Sequence, residues 1–362
     1  MAKLRSSIVV IGSGLAGSEA ALTIAALGGF VELFEMRPTN QTAVHRTGNA
    51  AELVCSNSLR SNQKHSAAGL MKQELRLLEC DLIQIADEVA IPGGTSLTVD
   101  REAFSSRVTN LLQGHPNIRI RQEEVVAIPG NRICIIASGP LTSSALAADI
   151  ERLTGQEHLS FYDAIAPVVD AEIIDREKVF AASRYDKGGA GFLNCPLTCQ
   201  EYTSFRQALL QAEGIFQHEF DKLPFFGCPP LGKLARSGLE TLRYGPLRPV
   251  GLRDPRIGRL PHAVVQLRQE NLRSDSYNMV GFQNQLKFPE QERVFRLVPG
   301  LESAEFLRFG QMHRNTFVRV PALLNSNLSL RKHPQVFLAG QLGGVEGYVE
   351  AMATGLIAGH NA

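Results

Sequence analysis

Residues 8–38, IVVIGSGLAGSEAALTIAALGGFVELFEMRP, constrain this chain more than any other stretch. Ile8 to Ile11 form an unbroken apolar run, the pattern of a parallel strand buried on both faces. Gly12, Gly14 and Gly17 follow with the spacing G-x-G-x-x-G, and Ala16 to Ala26 supply a helix of small and apolar residues. Gly28 and Gly29 end that helix, and Val31 to Phe34 make a second strand with Glu35 at its carboxyl end. In this context the glycines predict a dinucleotide site: Gly12 permits a tight turn, Gly14 lets a pyrophosphate approach the backbone, and Gly17 lets helix and strand pack closely. The helix N-terminus offers unpaired amides to phosphate, and Glu35 is placed to accept ribose hydroxyls. Ser13, Leu15 and Ala16 complete the turn, and Met36 and Arg37 extend the site past Glu35.

Two further pieces select FAD over a nicotinamide as the resident dinucleotide. The segment IASGP, residues 136–140, resembles the A-T-G turn that flavoproteins of the glutathione reductase type carry beside FAD. The last residues, AGQLGGVEGYVEAMATGLIAGHNA, place Gly340, Gln341, Gly343, Gly344 and Gly347 ahead of a second helix of small residues. A helix N-terminus there stabilises negative charge on a reduced flavin ring. The expected fold is α/β: a glutathione-reductase-type FAD-binding Rossmann domain built from residues 1–164 and 312–362, with an inserted α+β domain at 165–311. The two ends of the chain are then expected to share one sheet. Residues 67–89 read as a long or broken helix, 101–115 as another, and 132–153 as a strand leading into a helix.

Composition limits the function classes. The formal charge is +1, so no global field draws in a polyanion and any nucleic-acid site is a local patch. No apolar run reaches the roughly 20 residues of a membrane span. The first apolar segment runs into the glycine turn without a cleavage pattern, so no signal peptide is expected and the cytoplasm is the expected compartment. Six cysteines, Cys55, Cys80, Cys134, Cys195, Cys199 and Cys228, are spread without scaffold-like spacing and are expected to be reduced. No C-x-x-C pair occurs, Cys195 and Cys199 lack a second ligand pair, and no metal is expected.

The blocks VIGSGLAGSEAA, LFEMRP, AELVCSNSLRS, FYDAIAP, SRYDKGG, LNCP, HAVVQLRQEN, RVFRLVPGLESAEF, MHRNT and AGQLGGVEGYVEA, in order from one end to the other, resemble the TrmFO family within the GidA/TrmFO flavoproteins. The resemblance implies a FAD- and folate-dependent tRNA (uracil-5-)-methyltransferase. Methylenetetrahydrofolate would donate the carbon, NAD(P)H would reduce the flavin, and a T-loop uridine would become 5-methyluridine. Carbon 5 of uracil is a poor nucleophile until a group adds to carbon 6, so such chemistry wants a thiolate nucleophile and an acceptor for the carbon 5 proton. By the resemblance Cys228 takes the first role and Cys55 the second. Arg60 and Lys233 are the sequence neighbours able to favour the two thiolates.

The chain departs from the family pattern at FFGCPPLGKLA, where Phe226 precedes the Gly-Cys pair and Gly232 replaces a carboxylate. Chains of the family also usually continue past the terminal GHNA. These departures keep two alternatives open: a related flavoprotein methylating ribosomal RNA, and a flavin-containing RNA-binding protein that has lost methyl transfer. A GidA-like enzyme of the anticodon wobble uridine is disfavoured by the order of the blocks. For RNA phosphates the candidates are Arg248, Arg253, Arg256 and Arg259. Arg268, His313, Arg314 and Asn315 are candidates to face folate or flavin, with Arg184, Tyr185 and Lys187 in the same cleft. Phe306, Arg308 and Phe309 read as ordinary core and surface.

Overall fold

The computed structural model describes residues 7–42, 44–156, 159–215, 229–318 and 322–362. The first part of the chain forms β1 (Ile8–Ile11), α1 (Leu15–Ala26), β2 (Val31–Phe34), β3 (Ser58–Ser61), α2 (Ala67–Leu77), α3 (Asp81–Glu88), β4 (Ala90–Ile91), β5 (Ser96–Val99), α4 (Arg101–Gly114), β6 (Ile118–Arg121), β7 (Cys134–Ile136), α5 (Ser144–Thr154) and β8 (Leu159–Ala164). The middle holds β9 (Val168–Asp170), β10 (Phe180–Ala181), β11 (Phe192–Leu197), α6 (Cys199–Gln211), α7 (Leu231–Ser237), α8 (Thr241–Tyr244), β12 (Ala263–Gln269), β13 (Ser276–Met279), α9 (Phe288–Phe295) and β14 (Phe306–Arg308). The chain closes with β15 (Met312–Phe317), β16 (Val336–Leu338) and α10 (Tyr348–Asn361).

The apolar run of β1 lies at the centre of a parallel sheet ordered β16-β7-β1-β2-β6. Both of its faces are covered. Val10 packs into the core shared with α1 and α10, whereas Val9 and Ile11 join Leu146 and Ile150 of α5 on the other side. The last strand therefore lies in the same sheet as the first, and α10 packs along α1. Small residues make that contact possible: a Cβ on Gly355 would sit 2.2 Å from the Ala16 carbonyl oxygen. A Cβ on Gly17 would sit 1.8 Å from the Gly12 carbonyl oxygen, which is why the third glycine of the motif is needed where helix meets turn.

A second sheet, ordered β10-β11-β12-β13-β9-β14, carries its own core, in which Phe205, Phe282 and Phe295 are fully buried. β8 pairs antiparallel with β15 where the chain leaves and re-enters the first unit, and β3-β5-β4 form a small third sheet. The stretch at 67–89 is indeed broken: α2 and α3 are separated by a turn in which Glu79 takes a positive φ of 58°.

Helix starts differ in a way that matters for the site. Ser66, Asp100, Ser143 and Thr198 cap α2, α4, α5 and α6 with side-chain oxygens. α1 and α10 begin instead at Gly14 and Gly347, with no capping side chain. Their first amides are left for something else to satisfy.

Candidate functional site

The starts of α1 and α10 open onto one cavity of about 470 Å³. Of the residues predicted to hold a cofactor, Gly12, Gly14, Leu15, Ala16, Glu35, Met36, Arg37, Gly340, Gln341 and Gly347 line it. Ser13 and Gly17 do not: Ser13 is buried with its hydroxyl on Glu35, and Gly17 is spent on packing. Ser138, Gly139 and Pro140 of the IASGP turn line the same space.

Glu35 is held by protein donors. Its Oε2 accepts from the Ser13 amide at 3.0 Å and the Ser13 hydroxyl at 2.7 Å, and its Oε1 from the Arg37 amide at 3.0 Å and Arg37 Nε at 2.9 Å. Arg37 Nη2 adds a contact at 3.1 Å. Burial works to raise the carboxyl's pKa, but the Arg37 hydrogen bonds and charge, with Ser13, outweigh it and bring it down to about 2. Since a carboxylate has about four acceptor positions, a ribose hydroxyl gains a place on Glu35 only by displacing one of these donors, and the Ser13 hydroxyl is the one free to rotate away.

The residues present fit a flavin dinucleotide. A Cβ placed on Gly14 would meet nothing within 4 Å, so the turn is open on the side a diphosphate approaches. Glu350, in the first turn of α10, lines the cavity with its Oε2 buried and without a hydrogen-bond partner among the described residues. That oxygen is an acceptor waiting for a ligand hydroxyl or N–H.

Cys55 lies on the same cavity. The chain reaches it from Ala51, whose amide donates to the Ser13 carbonyl at 2.8 Å, so the cysteine loop is tied directly to the glycine turn. The Cys55 and Ser56 amides donate to the Tyr348 hydroxyl oxygen at 3.0 and 3.3 Å, joining the loop to the first residue of α10. Burial, then the neighbouring Cys55, push the Tyr348 phenol well above its usual range.

Three guanidiniums from three elements converge on this loop. Arg101, the first residue of α4, donates to the Leu53 carbonyl and, at 3.4 Å, to that of Cys55. Arg268 of β12 donates to the Ser56 hydroxyl at 2.6 Å and to Asn57 Oδ1 at 2.9 Å. Arg308 of β14 donates to the carbonyls of Val54 and Cys55 at 3.2 and 3.3 Å. One carboxylate, Glu270, pairs with Arg101 at 2.6 Å. Burial raises the Glu270 pKa, but Arg101 above all overrides it and holds the carboxyl below its ordinary value. Burial and the charge of Arg101 bring Arg308 down to about 10.

Several expectations need correction. Arg60 reaches Glu350 at 3.1 Å from a mostly exposed position, and the cations built around Cys55 are Arg101, Arg268 and Arg308. Arg308 is thus not ordinary surface, and its Nε is buried without a hydrogen-bond partner among the described residues. Arg184 is turned toward the Val250 carbonyl and Gln266, and neither it nor Tyr185 or Lys187 lines the cavity. Arg248, Arg253, Arg256 and Arg259 are all exposed, and of these Arg256 is paired with Asp254 at 2.6 Å. Cys195 is buried in β11 while Cys199 is exposed at the start of α6. Cys228 lies outside the described residues, as do the side chains of His313 and Arg314; Asn315 is buried. Sequence reading missed Arg101, Glu270 and Tyr348. One signal was present, because Arg101 is a cation in the first turn of a helix, where the macrodipole disfavours it.

The family model for glucose inhibited division protein A matches residues 7–362. The chain belongs to the GidA family. Within it, the TrmFO methylenetetrahydrofolate–tRNA-(uracil-5-)-methyltransferase of Pelotomaculum thermopropionicum is 56% identical over 357 residues, 98% of this chain and 82% of that one. The TrmFO of Koribacter versatilis is 52% identical over 354 residues, 97% of this chain and 80% of that one. These relatives place the chain on the TrmFO side of the GidA/TrmFO flavoproteins. Among solved structures, Aquifex aeolicus GidA superposes with a TM-score of 0.73 at 18% identity, covering 99% of this chain and 63% of that one, which shows a shared fold. No helix among the described residues is long and apolar enough to cross a membrane.

Proposed function

We propose that this TrmFO-family protein methylates carbon 5 of uridine in the T-loop of tRNA, with methylenetetrahydrofolate as carbon donor and NAD(P)H as reductant, in the cytoplasm. The observation that carries this reading is that Cys55 opens onto the same cavity as the glycine turn, Glu35 and the start of α10. FAD, when bound, supplies the two-electron reduction that carries a methylene-level carbon to methyl. Its holders are Gly12, Gly14, Leu15 and Ala16 at the start of α1, Glu35, Met36 and Arg37 after β2, and Gly340, Gln341 and Gly347 before α10. The uncapped N-termini of α1 and α10 favour negative charge at both ends of that site.

The protein's own groups handle the pyrimidine. We assign Cys228 the addition to carbon 6, which converts the ring into an enolate able to bond through carbon 5, and Cys55 the removal of the carbon 5 proton. In that step the S–H bond forms as the C–H bond breaks, and the electron pair releases the methylene from its carrier; the two-electron reduction to methyl then restores the ring double bond and expels the Cys228 sulfur. Residues 1–164 with 312–362 make the cofactor-holding part in this reading, and 165–311 the part that faces the RNA. Support for the latter comes from the exposed Arg248, Arg253 and Arg259, with Tyr244, which is 73% exposed, in the same segment.

The test is incubation of purified protein with NADPH, methylenetetrahydrofolate and unmodified tRNA, followed by nucleoside analysis. The expected product is 5-methyluridine in the T-loop, and its absence from tRNA under these conditions defeats the proposal.

A further inference from the structure

The cluster around Cys55 is unbalanced. Arg101, Arg268 and Arg308 bring three positive charges, and Glu270 brings one negative charge, paired with Arg101. Arg268 spends its donors on Ser56 and Asn57, which are neutral. Arg308 spends its own on two backbone carbonyls, and its Nε is buried with no hydrogen-bond partner among the described residues. Burying like charges together without a counter-ion is costly, so such an arrangement calls for a further anion close by. The ionisable groups around this space include Tyr348 from α10, Glu270 after β12, the three arginines, Arg46 beyond Arg308, and Cys55 itself, with Glu52, paired with Arg37, and Glu350, paired with Arg60, on the wall of the same cavity. Tyr348 is held neutral by burial and by Cys55. Each of the three arginines interacts electrostatically with Cys55.

We propose that Arg101, Arg268 and Arg308 are positioning residues that keep Cys55 a thiolate between turnovers, and that Arg308 sets how firmly it is kept. The inference rests on the reading of Cys55 as proton acceptor, since a thiolate is the form able to take the carbon 5 proton. It also explains the architecture: α4 belongs to the first unit, and β12 and β14 to the second sheet, so the charge on Cys55 is established only where the two meet.

The experiment is alkylation of the FAD-loaded enzyme with iodoacetamide between pH 5 and 10, with the rate at the Cys55 peptide followed by mass spectrometry. The expected midpoint lies well below the value near 8.5 of a free thiol. In Arg308→Gln the midpoint rises by about one pH unit and the rate at pH 6.5 falls roughly ten-fold, while Arg308→Lys keeps most of the effect. Glu270→Gln, which removes the carboxylate paired with Arg101, moves the midpoint down instead. A loop merely loosened by substitution moves both variants toward the free-thiol value, so opposite directions support the charge argument. If Arg308→Gln fails to fold, Glu270→Gln and Arg308→Lys decide. A wild-type midpoint at or above 8.5, or a midpoint that none of these substitutions moves, overturns the proposal. Failure of the functional reading would look different: Cys55→Ser would keep producing 5-methyluridine whatever the alkylation profile.

Discussion

At the glycine-turn end of the cavity two carboxylates, Glu35 and Glu52, meet one guanidinium, Arg37, and the rest of the Glu35 acceptor capacity goes to Ser13 and backbone amides. At the cysteine end three guanidiniums meet one carboxylate and a thiol. In the first arrangement the cation is fully matched by carboxylates, and the set holds a shape. The second is open, and an open buried charge set acts on whatever ionises beside it. On the proposed reading, the contrast teaches that one cavity is stiffened at the end assigned to the cofactor and polarised at the end assigned to the proton transfer.

The most direct way to break the comparison is to remove the group on which the polarised end acts. Cys55→Ser is expected to lower methyl transfer by ~10²- to 10⁴-fold, the usual worth of a positioned acid–base group, with tRNA affinity unchanged. The measurement is 5-methyluridine formation beside a filter-binding assay, and full activity would mean that the cysteine end has no special chemistry.

At the glycine-turn end the expected effect is on stability. Glu35 has a folded pKa of about 2 against an ordinary 4.5, so its contribution is fully present above about pH 5 and is lost as pH falls toward 2. That shift corresponds to about 3 kcal/mol, of which about 2 is lost by pH 3, and urea titrations from pH 7 down to pH 3 should show that loss in the wild type and not in Glu35→Gln.

Glu19 sharpens the comparison because it is a carboxylate on α1 without a cation partner among the described residues. It is 1% exposed and accepts the Leu82 amide at the start of α3 at 3.0 Å, and burial raises its pKa to about 7. A raised carboxyl pKa has the opposite sign: stability is greatest below about pH 4.5 and is lost as pH rises through 7. Glu19→Gln is therefore expected to gain up to about 3 kcal/mol above pH 8, read from unfolding midpoints at pH 5 and 9. Equal pH slopes for the Glu35 and Glu19 variants would undo the distinction between paired and unpaired burial.

The smallest effect belongs to Arg60, which sequence proximity nominated as the partner of Cys55. Its contact with Glu350 is a mostly exposed ion pair, worth about 0–1 kcal/mol, and Arg60→Ala should shift the thermal midpoint by little and the Cys55 alkylation profile not at all. A shift as large as that of Arg308→Gln would restore the sequence expectation.

What the linear order of residues determined was the part of the protein made by neighbours in the chain. The turn from β1 into α1, Glu35 at the end of β2, and the glycines before α10 are local patterns, because strand, turn and helix propensities act over a few residues and steric demands such as that at Gly17 are written in the residue itself. Only the tertiary structure decided which charges surround Cys55. Arg101, Arg268 and Arg308 stand 46, 213 and 253 positions away from it, and they meet only because the first unit and the second sheet pack on the same loop. Coulomb interactions depend on distance through space and on burial, and neither quantity is carried by separation along the chain.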